Sequence, residues 1–264
     1  MGHALAAAGR TWLLDLDGVL WLADEPIPGS AEAIDRLRTA GIRVAFFTNN
    51  SFVTRVDQIA KFARFGITVE DRDLFGSAEA AARLLDPGDR AFVLGGAGVN
   101  EALEARGVTI VDEPGAGGVD AVVVGLDRDL SFDRLTLAVR AVASGARLIA
   151  TNDDATYPTP DGPLPGGGSM LAAVAYATRA TPEVAGKPNA PGASLVADRL
   201  GHVDVMVGDR PETDGAFAEV LRAEYALVRS GVTPPGVTPA PPVAAFDAAD
   251  LAALVDALLD VPPR

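Results

Sequence analysis

Asp15 and Asp17 stand two residues apart at the end of a short apolar run, Thr11–Asp15, and Gly18 follows them. Residues two apart in an extended chain point to the same side. The two carboxylates therefore share one site as the strand ends, and the glycine lets the chain turn sharply beyond it. Close carboxylates repel and raise each other's pKa unless a cation lies between them. A hard cation with oxygen ligands meets that need. Taken alone, the pair also reads as an ordinary acidic turn.

Three further places put polar residues near an apolar run or hold them between turn formers. Thr48-Asn49-Asn50-Ser51 follows the run that begins at Arg43. Its hydroxyls, amides and nearby backbone N–H groups make an anion cradle, although Asn and Ser clusters are also common turn formers. Lys187 sits between Gly186 and Pro188, where it can neutralise a bound phosphate as a point charge. It is not a P-loop lysine, because Pro188 stands where Ser or Thr is needed; a plain surface lysine is the alternative. Finally, Val207-Gly208-Asp209 is followed, five residues after Asp209, by Asp214. Asp209 can complete a cation site with Asp214 in support, while Asp214 can also charge a helix start.

Other chemistries fit poorly. There is no G-x-S-x-G elbow. His3 and His202 are too few for a catalytic triad or a histidine metal site. Gly95-Gly96-Ala97-Gly98 resembles half a dinucleotide loop, but Glu101 occupies the place of the last glycine, so it reads as a turn and helix start.

Such scattered positions need a scaffold that gathers strand ends. Strand-like and helix-like stretches alternate along the chain. Helices are predicted over Ser30–Ala40, Val53–Phe65, Ser77–Leu85 (with Ser77 as N-cap), Gly98–Arg106, Ser131–Ser144, Ser169–Thr178, Gly192–Leu200, Thr213–Ala223 and Asp250–Leu259. Strands are predicted over Arg43–Thr48, Asp73–Gly76, Ala91–Leu94, Ala121–Val124, Arg147–Ala150, Val203–Val207, Tyr225–Val228 and Val243–Phe246. Apolar runs without period-two alternation, separated by helices, predict parallel sheets covered on both faces. Ligands of such folds bind beyond the carboxyl ends of the strands, which is where the four polar clusters fall. Thr233–Pro242 reads as a Pro-rich surface loop.

Composition sets the outer bounds. The chain has 264 residues, 48% hydrophobic, enough for a large core or two modest ones. Its net charge of −14 argues against nucleic acid as a partner, since a phosphate-backbone binder is basic. Any phosphate site here must therefore be made locally positive by a metal ion and a few cationic side chains. The apolar runs fall far short of the roughly 20 residues of a membrane helix, so no membrane association is expected. The segment MGHALAAAGR reads as a tail rather than a signal peptide. The absence of cysteine excludes disulfides and thiolate metal sites and fits a cytoplasmic protein.

In their order and placement, Asp15-x-Asp17-Gly18-Val19, Thr48-Asn49-Asn50, Lys187 and Gly208-Asp209-x4-Asp214 resemble the four motifs of the haloacid dehalogenase superfamily. The resemblance covers essentially the whole chain. The long insert between Asn50 and Lys187 is similar to the cap of subclass IIA, which holds the N-acetylglucosamine-operon-type, 4-nitrophenyl phosphate and phosphoglycolate phosphatases. Val124-Gly125-Leu126-Asp127 and Thr151-Asn152, through Thr156-Tyr157-Pro158-Thr159-Pro160, to Gly168-Ser169 support the subclass. Family members often carry Pro after the Thr-Asn pair, where this chain has Asp153.

The resemblance implies a doubly wound parallel-sheet α/β core (HAD-like, Rossmannoid) at 1–85 and 182–264, with an inserted α/β cap of the C2a type at 86–181. It implies an Mg2+-dependent phosphomonoesterase acting on a small phosphorylated metabolite such as phosphoglycolate, glycerol 3-phosphate or a sugar phosphate, with 4-nitrophenyl phosphate as an artificial substrate. Asp15 would be the nucleophile and Asp17 the proton donor and acceptor. Mg2+ would be held by Asp15, the Asp17 carbonyl and Asp209, supported by Asp214. Thr48, Asn49, Asn50 and Lys187 would bind the phosphoryl group. Asn152, Asp153 and Asp154 open the cap loop expected to face the substrate, and homodimerisation through the cap is an option carried over from relatives. A phosphotransferase or mutase on the same scaffold, or a catalytically silent binding relative, are the alternatives.

Overall fold

Strands covered on both faces follow from apolar runs that do not alternate, and both large sheets of the molecule are built that way. The computed structural model describes residues 7–115, 117–157, 159 and 162–259. The tail at residues 1–6, and Pro158 and Pro160 of the loop singled out above, lie outside them.

The chain begins with β1 (Thr11–Leu14), a hairpin of β2 (Trp21–Leu22) and β3 (Glu25–Pro26), α1 (Ser30–Thr39), β4 (Arg43–Thr48), α2 (Arg55–Arg64), β5 (Leu74–Gly76) and α3 (Ser77–Ala82). A second series follows: β6 (Arg90–Leu94), α4 (Ala97–Ala105), β7 (Thr109–Ile110), β8 (Ala121–Val124), α5 (Phe132–Ala143) and β9 (Arg147–Ala150). It continues through a small hairpin of β10 (Thr156–Tyr157) and β11 (Leu164–Pro165), then α6 (Gly167–Thr178) and β12 (Glu183–Val184). The chain ends with α7 (Ala190–Leu200), β13 (Val205–Gly208), α8 (Ala216–Leu221), β14 (Glu224–Val228), β15 (Phe246–Ala248) and α9 (Leu251–Leu259).

The six-stranded sheet runs β15-β14-β13-β1-β4-β5 and the five-stranded one β12-β9-β8-β6-β7, parallel throughout. In the first sheet β1 is central, with Leu14 opposite both Val207 and Phe46. Asp15, Asp209 and Thr48 therefore leave the same edge together. Alternate residues face opposite sides of a sheet. Leu13, Ala45, Phe47 and Met206 pack on one side with Val196 and Phe217. Trp12, Leu14, Val44 and Phe46 pack on the other with Ile34, Leu37 and Leu254. The first cluster continues without a break through Ala80–Leu85 into Val93, Val123 and Ile149 of the second sheet. Among the described residues no helix is long and apolar enough to cross a membrane.

Several boundaries differ from the sequence expectation for physical reasons. Ser77 does not cap its helix. Gly76 holds that position, and the Ser77 hydroxyl donates instead to Asn49 O at 2.8 Å. The last strand starts later than Val243, which is 87% exposed. Pairing begins only when the Ala245 N–H reaches Tyr225 O, past two prolines that have no N–H to offer. The helix expected from Thr213 begins at Ala216, because Pro211–Gly215 forms a wider π-type turn. The hairpin β2–β3 had no sequence signal, being two residues per strand.

Phe62 of α2 ties that hairpin and helix to the sheet. Its ring meets Trp21 edge-on at 5.1 Å and Phe46 at 4.8 Å between centroids, and it is fully buried. Phe62→Ala is expected to lower unfolding stability by about 3–5 kcal/mol, read as a lower urea midpoint with an unchanged slope.

Candidate active site

Asp15 begins where β1 stops. Its N–H still donates to Val207 O at 2.9 Å, which carries the side chain to the sheet edge. Gly18 then turns the chain at φ +85°, and a Cβ there would lie 2.4 Å from Asp209 Oδ2. Both the backbone conformation and the close approach require glycine. Ser230 fastens this turn by donating to Gly18 O at 2.7 Å.

Lys187 is the centre of charge. It is 1% exposed, with Nζ 2.7 Å from Asp15 Oδ1 and 2.7 Å from Asp214 Oδ1. The Asn49 side chain places it. Asn49 Oδ1 accepts from the Lys187 N–H at 2.9 Å, and Nδ2 donates to Lys187 O at 3.0 Å. Asp214 accepts from the Arg210 N–H with its other oxygen, at 3.1 Å. It closes over Gly208, where a Cβ would sit 2.1 Å from its carboxyl carbon. Asp209 accepts from the Val232 N–H at 2.6 Å through Oδ2, and its buried Oδ1 has no hydrogen-bond partner.

Burial alone would lower the Lys187 ammonium. Asp15 and Asp214 outweigh it and hold the ammonium above its ordinary value. Burial lifts Asp15 well above the usual carboxylate range; Lys187 pulls it down, and Asp214 and Asp209 push it up again. Burial, then the charge of Asp214, takes Asp209 up to about 7. These directions share one cause: three carboxylates face a single ammonium in a largely buried site. Oxygens of Asp15, Asp209 and Asp214 lie within 4.8 Å of one another. An all-carboxylate donor set, an excess of negative charge and an orphaned buried oxygen fit a hard divalent cation.

Asp17 has different company. Tyr157 Oη donates to its Oδ1 at 3.3 Å from the opposite sheet's hairpin. Burial raises Asp17, and Lys61, Tyr157 and Trp21 each lower it in part. The Trp21 indole N–H is near enough for that effect but forms no hydrogen bond of good geometry.

Asp15, Asp17, Thr48, Asn49, Asn50, Lys187 and Asp209 all line one recess of about 50 Å³. Asp214 lies behind it, held by Lys187. Thr48 Oγ1 accepts from the Asn50 N–H at 3.0 Å, and Asn50 Oδ1 from the Phe52 N–H at 3.1 Å, so the cradle is pre-shaped. The residues singled out in the cap loop separate. Asp154 lines the recess and accepts from Asn49 Nδ2 at 3.1 Å. Asn152 is buried and donates to Asn49 O at 2.7 Å. Asp153 is exposed and does not line the recess.

Sequence reasoning missed Tyr157 and Arg210, both of which line the recess. Arg210 had one usable signal, its place directly after Asp209. Tyr157 had none beyond lying in a loop expected to face the site, because its reach depends on how the two sheets are packed.

Residues 12–109 match the family model described as haloacid dehalogenase-like hydrolase, and residues 184–254 match one described as HAD-hydrolase-like. The chloroplastic phosphoglycolate phosphatase 1A of Arabidopsis thaliana is 36% identical over 252 residues, covering 85% of this chain and 69% of that protein. A p-nitrophenyl phosphatase from Archaeoglobus fulgidus superposes with a TM-score of 0.85 at 30% identity, over 95% of this chain and 100% of that one. A glycerol phosphate phosphatase from Mycobacterium tuberculosis, in complex with magnesium, superposes with a TM-score of 0.83 at 30% identity, over 98% and 81%.

Two outcomes follow from the charge balance. Mg2+ is expected to raise the melting temperature, by about 2.7 kcal/mol of stability at a hundredfold excess over Kd, and Asp209→Asn to remove that rise. Without a divalent cation, stability should fall as pH rises from about 4 to 7. The folded protein holds the Asp209 proton up to about 7, while the unfolded chain releases it near 4. Urea unfolding across that range in the presence of a chelator measures the slope, which Asp209→Asn should flatten.

Proposed function

The chain belongs to the haloacid dehalogenase-like hydrolases, and on that footing we propose that it is a magnesium-dependent phosphatase of small phosphorylated metabolites with Asp15 as its nucleophile. The carrying observation is the separation of the two acids. Asp15 is bonded to Lys187 beside Asp209 and Asp214, whereas Asp17 faces away toward Tyr157 and Lys61. Neighbouring carboxylates with different surroundings are suited to different roles.

In this reading a carboxylate oxygen of Asp15 attacks phosphorus, and the bond from phosphorus to the leaving oxygen breaks. Asp17 gives its proton to that oxygen, so the product departs as an alcohol. Water then attacks the aspartyl-phosphate, Asp17 takes a proton from it, and the bond between phosphorus and Asp15 breaks to free phosphate. Lys187, Thr48, Asn50 and the Asn49 backbone hold the phosphoryl oxygens, which is most of what phosphoryl transfer requires. Mg2+ held by Asp15, the Asp17 carbonyl and Asp209, with Asp214 in support, supplies the positive charge that a phosphate dianion needs beside these acids.

The two-sheet construction supports a core at 1–85 and 182–264 with a cap inserted at 86–181. The pairing of Glu183 with Ile149 and Val184 with Ala150 carries the cap sheet slightly past that boundary. The cap contributes Asp154 and Tyr157 to the recess.

Asp15→Asn is expected to abolish Mg2+-dependent phosphate release across a metabolite panel. Asp17→Asn should slow turnover by roughly 10²–10⁴-fold, the usual worth of a positioned acid–base group. Phosphate release by Asp15→Asn at the parent rate would sink the nucleophile assignment.

A further inference from the structure

Beside the recess, on the Asp17 side, lies a chamber of about 260 Å³ between the β2–β3 hairpin, α2 and the loop after β8. Asp17, Thr48, Asn50 and Tyr157 line both spaces, so they are continuous. A phosphoryl group at Asp15 whose leaving oxygen faces Asp17 sends the rest of the molecule into this chamber. Its volume is worth roughly nine waters at about 30 Å³ each, which suits a leaving group of a few carbons.

Two cations line it, one from each side. Lys61 of α2 holds Nζ 4.5 Å from the Trp21 ring centroid and donates to Ala23 O at 2.6 Å. Arg128, from the loop after β8, lies 5.1 Å from the Phe52 ring centroid. Neither has a carboxylate within ion-pair distance among the described residues. Arg43, Arg64 and Arg147, by contrast, are ion-paired. Aromatic faces position a cation without neutralising it, and although Asp17 and Asp24 act on Lys61 from a distance, neither is in contact with it, so both cations can still meet a ligand. Three acids also line the chamber: Asp17, whose charge Lys61 feels and which accepts from Tyr157 Oη, and two at the rim that have other partners. Asp24 pairs with Arg64 at 2.9 Å, and Asp57 accepts from Thr54 Oγ1 at 2.7 Å.

We propose that this chamber selects substrates whose leaving group carries a second anion, a carboxylate or a second phosphate, bound by Lys61 and Arg128. The inference rests on the phosphatase reading above and narrows its substrate class. A phosphomonoester with a neutral alcohol makes no charge-assisted contact with either cation, whereas an anionic one can gain two.

The test compares kcat/KM, in the presence of Mg2+, for two matched pairs: 2-phosphoglycolate against 2-hydroxyethyl phosphate, and 1,3-propanediol bisphosphate against 3-hydroxypropyl phosphate. The first pair reports on a carboxylate and the second on a phosphate. In at least one pair the anionic member should be favoured by roughly tenfold or more. Lys61→Met and Arg128→Met should each shrink that ratio, and the double variant should bring it near one. Arg128 is exposed, so its variant remains informative if Lys61→Met fails to fold. A parent ratio near one in both pairs, or a ratio unmoved by both variants, overturns the proposal while 4-nitrophenyl phosphate is still hydrolysed. No phosphate release from any substrate, 4-nitrophenyl phosphate included, overturns the phosphatase reading and this inference with it.

Discussion

A buried ammonium shared by two carboxylates is the constraint on which the site depends. Lys187 has almost no contact with solvent and meets Asp15 and Asp214 at 2.7 Å each. Burying any of these charges singly costs several kcal/mol, and removing one partner strands the others. The surroundings are accordingly fastened on all sides. Asn49 grips the Lys187 backbone with both ends of its side chain. Arg210 N–H holds Asp214, and glycine at 208 leaves room for that carboxylate. The position of the Asp15 carboxylate is thus tied to the lysine, and the lysine's to strand ends far apart in the chain.

The same arrangement accounts for a phosphate site on a chain of net charge −14. Global charge acts over solvent and is screened, whereas partly buried charges in a recess act at contact distance. Locally the acids still outnumber the lysine, which is why a divalent cation belongs to the site's balance. The orphaned Asp209 oxygen is the clearest mark of that need.

Core and cap are joined by more than their linkers. Asn49 contacts Asp154, Asn152 donates to Asn49 O, and Ser51 and Thr151 share a hydrogen bond at 2.9 Å. Beneath these polar ties the apolar cluster is continuous through Ala80–Leu85 and across the second sheet. The polar residues after β4 therefore serve twice. They line the recess and they tie the cap above it, where Tyr157 meets Asp17.

The parallel α/β class was legible in the sequence, because apolar runs such as Ala121–Val124 and Arg43–Thr48 do not alternate. Gly41 and Gly66 marked helix ends, and strand-end acids marked the edge where chemistry gathers. Most of the residues lining the recess could be named from the order of four short motifs, since each motif is local and follows its strand directly. What could not be read was whatever depends on packing between distant segments. Ser77 looked like a cap but spends its hydroxyl on Asn49, and Asn152, Asp153 and Asp154 looked alike but point to three different environments. Tyr157, Arg128 and Lys61 meet around Asp17 only because two separately wound sheets close on each other. The sequence by itself determined the strand ends and the reactive groups they carry, because local periodicity and turn chemistry set both. Only the tertiary structure decided which cations and rings surround those groups, because such distances arise from docking two cores and leave no periodic trace along the chain.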